Sequence, residues 1–96
     1  MFHHIVLAGF HSPLTPDDHA YFVQQCARIA KELSGVVRME FVANVSTRSP
    51  DFTHAFVAQF VDDAAHDRYQ ASPLHDALRE RFGRLQRRME VLDYTL

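Results

Sequence analysis

Phe2-His3-His4-Ile5-Val6-Leu7-Ala8-Gly9-Phe10 alternates as a β-strand does, with His3, Ile5 and Leu7 facing one way and Phe2, His4, Val6 and Ala8 the other. Both faces are largely apolar. A strand with one face in water would carry polar residues at every second position, so this one needs cover on both sides. Phe52 to Val61 repeats the pattern, with Phe52, His54, Phe56, Ala58 and Phe60 on one face and Thr53, Ala55, Val57 and Gln59 on the other. A sheet built on these two strands requires helices over one face and a second apolar surface over the other.

The chain between and beyond them supplies the helices. Thr15-Pro16-Asp17-Asp18 reads as a helix start: a capping hydroxyl, a proline in the first turn, and acids at the positive end of the dipole. The helix runs to about Leu33 on the stripe Phe22, Val23, Cys26, Ile29, Ala30 and Leu33, and Ser34-Gly35 stops it. Val36 to Val45 is a second strand, with Val37, Met39 and Phe41 on one face and Val36, Val42, Arg38 and Glu40 on the other. Ser46 to Asp51 is a polar loop. Asp62 caps a short helix to about Ala71, Ser72-Pro73 restarts one to about Arg84, and Met89 to Tyr94 is a fourth strand. The order βαββαβ is the ferredoxin-like α+β unit, a four-stranded antiparallel sheet with its helices on one face. Phe2, Val6, Val57 and Leu92 are too many apolar residues to leave wet, which predicts an isologous homodimer through the open sheet face, a dimeric α+β barrel.

At 96 residues the chain is one domain, 1–96, without repeats or linkers. The formal charge of −2 gives no case for nucleic acid or an anionic membrane. The seven histidines would turn that charge positive if all were protonated, so association or solubility is expected to depend on pH near about 6 to 7. Cys26 stands alone, so no intramolecular disulfide forms, and the N-terminal apolar run ends at His11, too short for a bilayer. A cytoplasmic protein is the expectation.

Tyr69-Gln70-Ala71-Ser72-Pro73-Leu74-His75 carries the chemistry. In one continuous helix Tyr69 and His75 would lie on different sides; the break at Ser72-Pro73 allows a phenol and an imidazole to converge. His75 borders the stripe Leu78, Phe82 and Leu85, His3 shares a face with Ile5 and Leu7, and His54 shares one with Phe56. Gathered on one cavity, these groups suit a general base and a hydrogen-bond partner for a developing enolate. Each also has a plain reading: His75 pins the helix restart, and His3 and His54 are satisfied histidines at the edge of the core. Cys26 on its helical stripe reads as a small hydrophobe.

His3-His4-Ile5-Val6-Leu7, Asn44-Val45-Ser46, Tyr69 to His75 and Asp93-Tyr94 together resemble the stress-responsive A/B barrel (Dabb) family of the dimeric α+β barrel superfamily, over essentially the whole chain. Ser72 departs from the family's Tyr-x-x-His-Pro-x-His, while Tyr69, Pro73 and His75 agree. The family includes a plant polyketide cyclase. Similarity to it implies His75 as general base, Tyr69 as its phenolic partner, and His3 and His54 as further polar groups of a substrate pocket. The implied apolar lining is Ile5, Leu7, Phe22, Met39, Phe56, Leu78, Phe82 and Val91. Cys26 and Gln86 stand where that enzyme has aromatic residues, which points to a different substrate.

No His-x-His, His-x-x-x-His or His-Glu-x-x-His pattern occurs, so no metal and no cofactor are expected. Tryptophan is absent, and the monooxygenase chemistry of some superfamily relatives fits poorly. Arg79, Arg81, Arg84, Arg87 and Arg88 read as a solvated face or as a clamp for an anionic carrier at the pocket mouth. Two functions of different class follow: cofactor-free cyclase or lyase chemistry on a polycarbonyl compound, or a non-catalytic, stress-related dimer that binds a small apolar ligand or serves assembly.

Overall fold

The computed structural model describes residues 1–96. Its elements run β1 (Phe2–Phe10), α1 (Pro16–Glu32), β2 (Val36–Ala43), β3 (His54–Phe60), α2 (Asp63–Gln70), α3 (Pro73–Leu85) and β4 (Gln86–Thr95). The strands form one antiparallel sheet in the order β2-β3-β1-β4, the ferredoxin-like α+β arrangement. The two strands apolar on both faces, β1 and β3, are therefore its centre.

Local chemistry sets the boundaries. Thr15 Oγ1 accepts the Asp18 backbone N–H at 3.1 Å and caps α1, and Asp62 accepts the Ala65 N–H at 2.8 Å and caps α2. Gly35, at φ 83°, turns the chain out of α1; a Cβ there would also lie 2.7 Å from that of Ala65. β2 ends at Ala43, two residues short of the sequence expectation. The Asn44 side chain takes over there, donating to Phe52 O at 2.7 Å and accepting from the Ser46 N–H at 2.8 Å. β4 begins at Gln86, three residues earlier than expected, in register with Phe10 across a shift at Gly9.

Antiparallel register settles which face is covered. Val6 opposes Phe56 and Val91, and His4 opposes Ala58 and Asp93, all on the helix side. Ile5 opposes Val57 and Leu92, and His3 opposes Gln59 and Tyr94, on the open side. Phe2 and Val6 thus pack against the core beneath the helices, correcting their expected place on the open face, which carries Val57 and Leu92 with His3, Ile5 and Leu7. A second correction lies in β2, where a bulge between Val36 and Arg38 lets Val36 pack inward and leaves Val37 half exposed.

The core between sheet and helices is aromatic: Phe22 and Phe60 are fully buried, and Phe22 contacts Phe10, Phe41, Phe56 and Phe82 at ring separations of 5.1 to 6.4 Å. The helices cover β2, β3 and β1 but leave β4 exposed along nearly its whole length. The resulting gap between α3 and the β1–β4 edge is a cleft.

Candidate active site

The break between α2 and α3 builds one wall. Ala71 ends α2, and Ser72 turns to extended geometry at φ −81°, ψ 148°. Its hydroxyl donates to Tyr69 O at 2.8 Å and accepts the His75 N–H at 3.2 Å. Gln25 Nε2 donates to Leu74 O at 2.9 Å, tying the restart to α1. This geometry folds His75 back onto Tyr69, with ring centroids 4.6 Å apart and edge to face. The expected convergence is present.

His75 has a defined polarity. Its Nδ1 lies 3.1 Å from Gln70 O, and because a carbonyl only accepts, Nδ1 carries the proton. In the neutral ring Nε2 is then the basic nitrogen. Burial pulls the pKa of His75 below its ordinary value, so the ring is neutral at physiological pH. Tyr69 is 3% exposed, and burial drives its phenol far above the usual range, which keeps it a neutral O–H donor.

The other wall comes from neighbouring strands. His4, buried on β1, sits directly opposite Asp93 on β4, and its Nδ1–H donates to the Asp93 carboxylate in a short contact. The carboxylate holds the imidazole in one orientation and leaves Nε2 available, and the His4 and Tyr69 rings are 6.4 Å apart. With Val6, Phe56, Gln70, Asp76, Leu78, Arg79, Phe82, Met89 and Val91, these groups enclose a cleft of about 450 Å³. Its volume falls within the usual range for small-molecule sites, and an apolar floor with few convergent polar groups is their usual character.

Of the residues singled out from sequence, the structure brings together Tyr69, His75, Phe56, Leu78, Phe82 and Val91 on this cleft. Phe22 and Met39 are buried in the core behind it. His3, Ile5 and Leu7 lie on the opposite face of the sheet, with His3 stacked on Tyr94 at 4.6 Å. His54 sits at the far end of β3, stacked on Phe41 at 4.9 Å and bonded to Thr53, beside a second cavity shared with Phe10, His11 and His19. One cavity holding all four polar groups does not form; His4 occupies the place expected of His3. The signal was in the strand phase, since His4 shares its face with Phe2, Val6 and Ala8. Asp93 follows Val91 by the same two-residue step.

The arginine run disperses. Arg79 reaches the cleft, Arg81 pairs with Asp18 at 2.8 Å and lies over the Tyr21 ring, and Arg88 pairs with Asp51 at 2.9 Å. Cys26 is buried and its thiol is pushed up to about 12, which leaves it a packing residue.

Solved structures share this fold. A Dabb-family protein from Mesorhizobium loti is 24% identical with a TM-score of 0.80, over 99% of this chain and 95% of its own. A dimeric ferredoxin-like protein of unknown function from Jannaschia sp. is 21% identical with a TM-score of 0.87, over 99% and 98%. The hydroxynitrile lyase of Passiflora edulis is 18% identical with a TM-score of 0.85, over 99% and 90%. No curated protein matches the chain. The model of the stress-responsive A/B barrel domain matches residues 2–96, and the chain belongs to the Dabb family.

Proposed function

We propose that the protein is a cytoplasmic homodimer in which each protomer uses the cleft for cofactor-free acid–base chemistry on a small apolar carbonyl compound, in a lyase or cyclase reaction. The observation that carries this reading is the His75 Nδ1–H bond to Gln70 O, which leaves a neutral ring with a basic Nε2 beside the Tyr69 phenol. His75 Nε2 takes a proton from a carbon acid or from the hydroxyl of an addition product. Tyr69 donates a hydrogen bond to the carbonyl or enolate oxygen as charge develops, and the His75 proton is returned to the departing or newly bonded group. The His4–Asp93 pair supplies a second imidazole of fixed orientation on the opposite wall. The hydroxynitrile lyase of the same fold lends support to carbon–carbon bond chemistry of this class. The open sheet face, with Leu92 56% and Leu7 38% exposed around Ile5 and Val57, is the surface a second copy covers, and relatives described as dimeric support it. The single buried cysteine suits a reducing compartment.

The test is a panel of aryl and alkyl hydroxynitriles and β-polycarbonyl compounds, followed for product and for binding, with wild type against His75→Ala. The expected result is turnover that falls by about a hundredfold or more while affinity stays within a few fold. If compounds bind but wild type and variant both proceed at the background rate, the domain is a binding module. One observation favours that second reading: His75 also holds the start of α3, its ring Nδ1–H donating to Gln70 O and its backbone N–H to Ser72 Oγ.

A further inference from the structure

His66 on α2 is the one buried side chain whose nitrogen lacks a partner: Nε2 makes no hydrogen bond, and the residue is 6% exposed. The ring is held in place by stacking on Phe2 at 4.4 Å and by the edge of Phe60 at 5.1 Å. It faces His4, with ring centroids 4.7 Å apart, and His4 in turn contacts Asp93. The three residues come from α2, β1 and β4, and one ligand atom of each lies within 4.8 Å of the other two. Two imidazoles and a carboxylate converge here with a donor nitrogen unused.

We propose that His4, His66 and Asp93 bind one divalent transition-metal ion, Zn²⁺ being the best match, on the wall of the cleft. Two nitrogen ligands and one oxygen suit a borderline ion and disfavour Mg²⁺ and Ca²⁺, which select oxygen. Bonds of about 2.1 Å place ligand atoms roughly 3 to 3.5 Å apart, so from a spread of up to 4.8 Å the widest pair must close by roughly 1.3 to 1.8 Å. Asp93, at a partly exposed position on the last strand, is the member free to move. Ligation takes the carboxylate from His4 Nδ1 to the metal, which then fixes the His4 ring in place of that hydrogen bond; the His75–Tyr69 proton transfer proposed above does not draw on the ion. Since His4 and Asp93 line the cleft, the remaining coordination positions open into it, where a water or a ligand oxygen completes the shell. The spacing motifs of the sequence do not show this site because its ligands lie in three separate elements.

The test uses the full chain, stripped with a chelator and titrated near neutral pH with Zn²⁺ by calorimetry and with Co²⁺ by visible absorption. One ion per chain at micromolar or tighter affinity, with Co²⁺ bands of a low-symmetry nitrogen and oxygen site, is the expected result. His66→Phe fills the same aromatic box and weakens binding by about a hundredfold or more, since losing even an outer-shell partner costs roughly ten- to a hundredfold. Asp93→Asn, at a more exposed position, weakens it as well and serves if His66→Phe does not fold. No binding at millimolar Zn²⁺, or equal affinity in the folded variants, overturns the proposal, the latter by assigning the ion to other histidines.

Discussion

At the scale of single residues, Ser72 performs three tasks at once: it caps α3, satisfies Tyr69 O, and fixes the angle at which His75 returns to the phenol. Ser72→Ala removes a buried hydroxyl at an N-cap and is expected to cost about 1–2 kcal/mol, measured by urea unfolding. Cleft-ligand affinity should fall with it, because the His75 backbone N–H loses its anchor. Tyr69→Phe separates chemistry from packing. The ring stays against Phe60 at 5.2 Å while the phenolic donor disappears, so stability should change little and turnover should drop by roughly 10²- to 10³-fold. A Tyr69→Phe variant with wild-type turnover would remove the phenol from the reaction. The Tyr69 and His75 pairing was legible because proline and serine chemistry is local. The His4–Asp93 pair was not, since it requires the β1–β4 register, which no local pattern encodes.

At the scale of elements, strand phases and caps read directly from the sequence, and the element order followed. Less visible were the points where the sheet departs from ideal register. The bulge near Val37 exchanges the inward roles of Val36 and Val37, and alternation alone gives no sign of the extra residue. Gly9 marks the second irregularity: a Cβ there would sit 2.1 Å from Asp51 O, where the loop before β3 crosses β1. Gly9→Ala must push that backbone away and is expected to cost about 1–3 kcal/mol, visible as a lower melting temperature. A Cβ added at Gly83 would meet open space, and Gly83→Ala within α3 should be neutral or raise stability by about 0.5–1 kcal/mol. The pair forms an internal control.

At the scale of the molecule, the face of β1 that belongs to the site was the hardest choice from sequence. Both faces are apolar, one meeting the helices and the other exposed, and composition does not distinguish them. The choice moved His3, Ile5 and Leu7 away from the cleft and brought in His4. Three partly or fully buried histidines, His54, His66 and His75, all have pKa values lowered chiefly by burial. A His whose folded pKa lies below its unfolded value binds fewer protons when folded, so stability is fully present above about 6.5 and falls as pH drops through that value toward the lowered ones. Melting temperature should therefore decline on acidification below about 6.5, and an unchanged melting temperature down to mildly acidic pH would contradict it. Whether His75 is a neutral base poised in the cleft can be read from long-range proton–nitrogen NMR of the imidazole across a pH titration. The expected result is the Nδ1–H tautomer at neutral pH with a midpoint below the ordinary histidine value; an Nε2–H tautomer, or a ring already charged at neutral pH, would rule the base out.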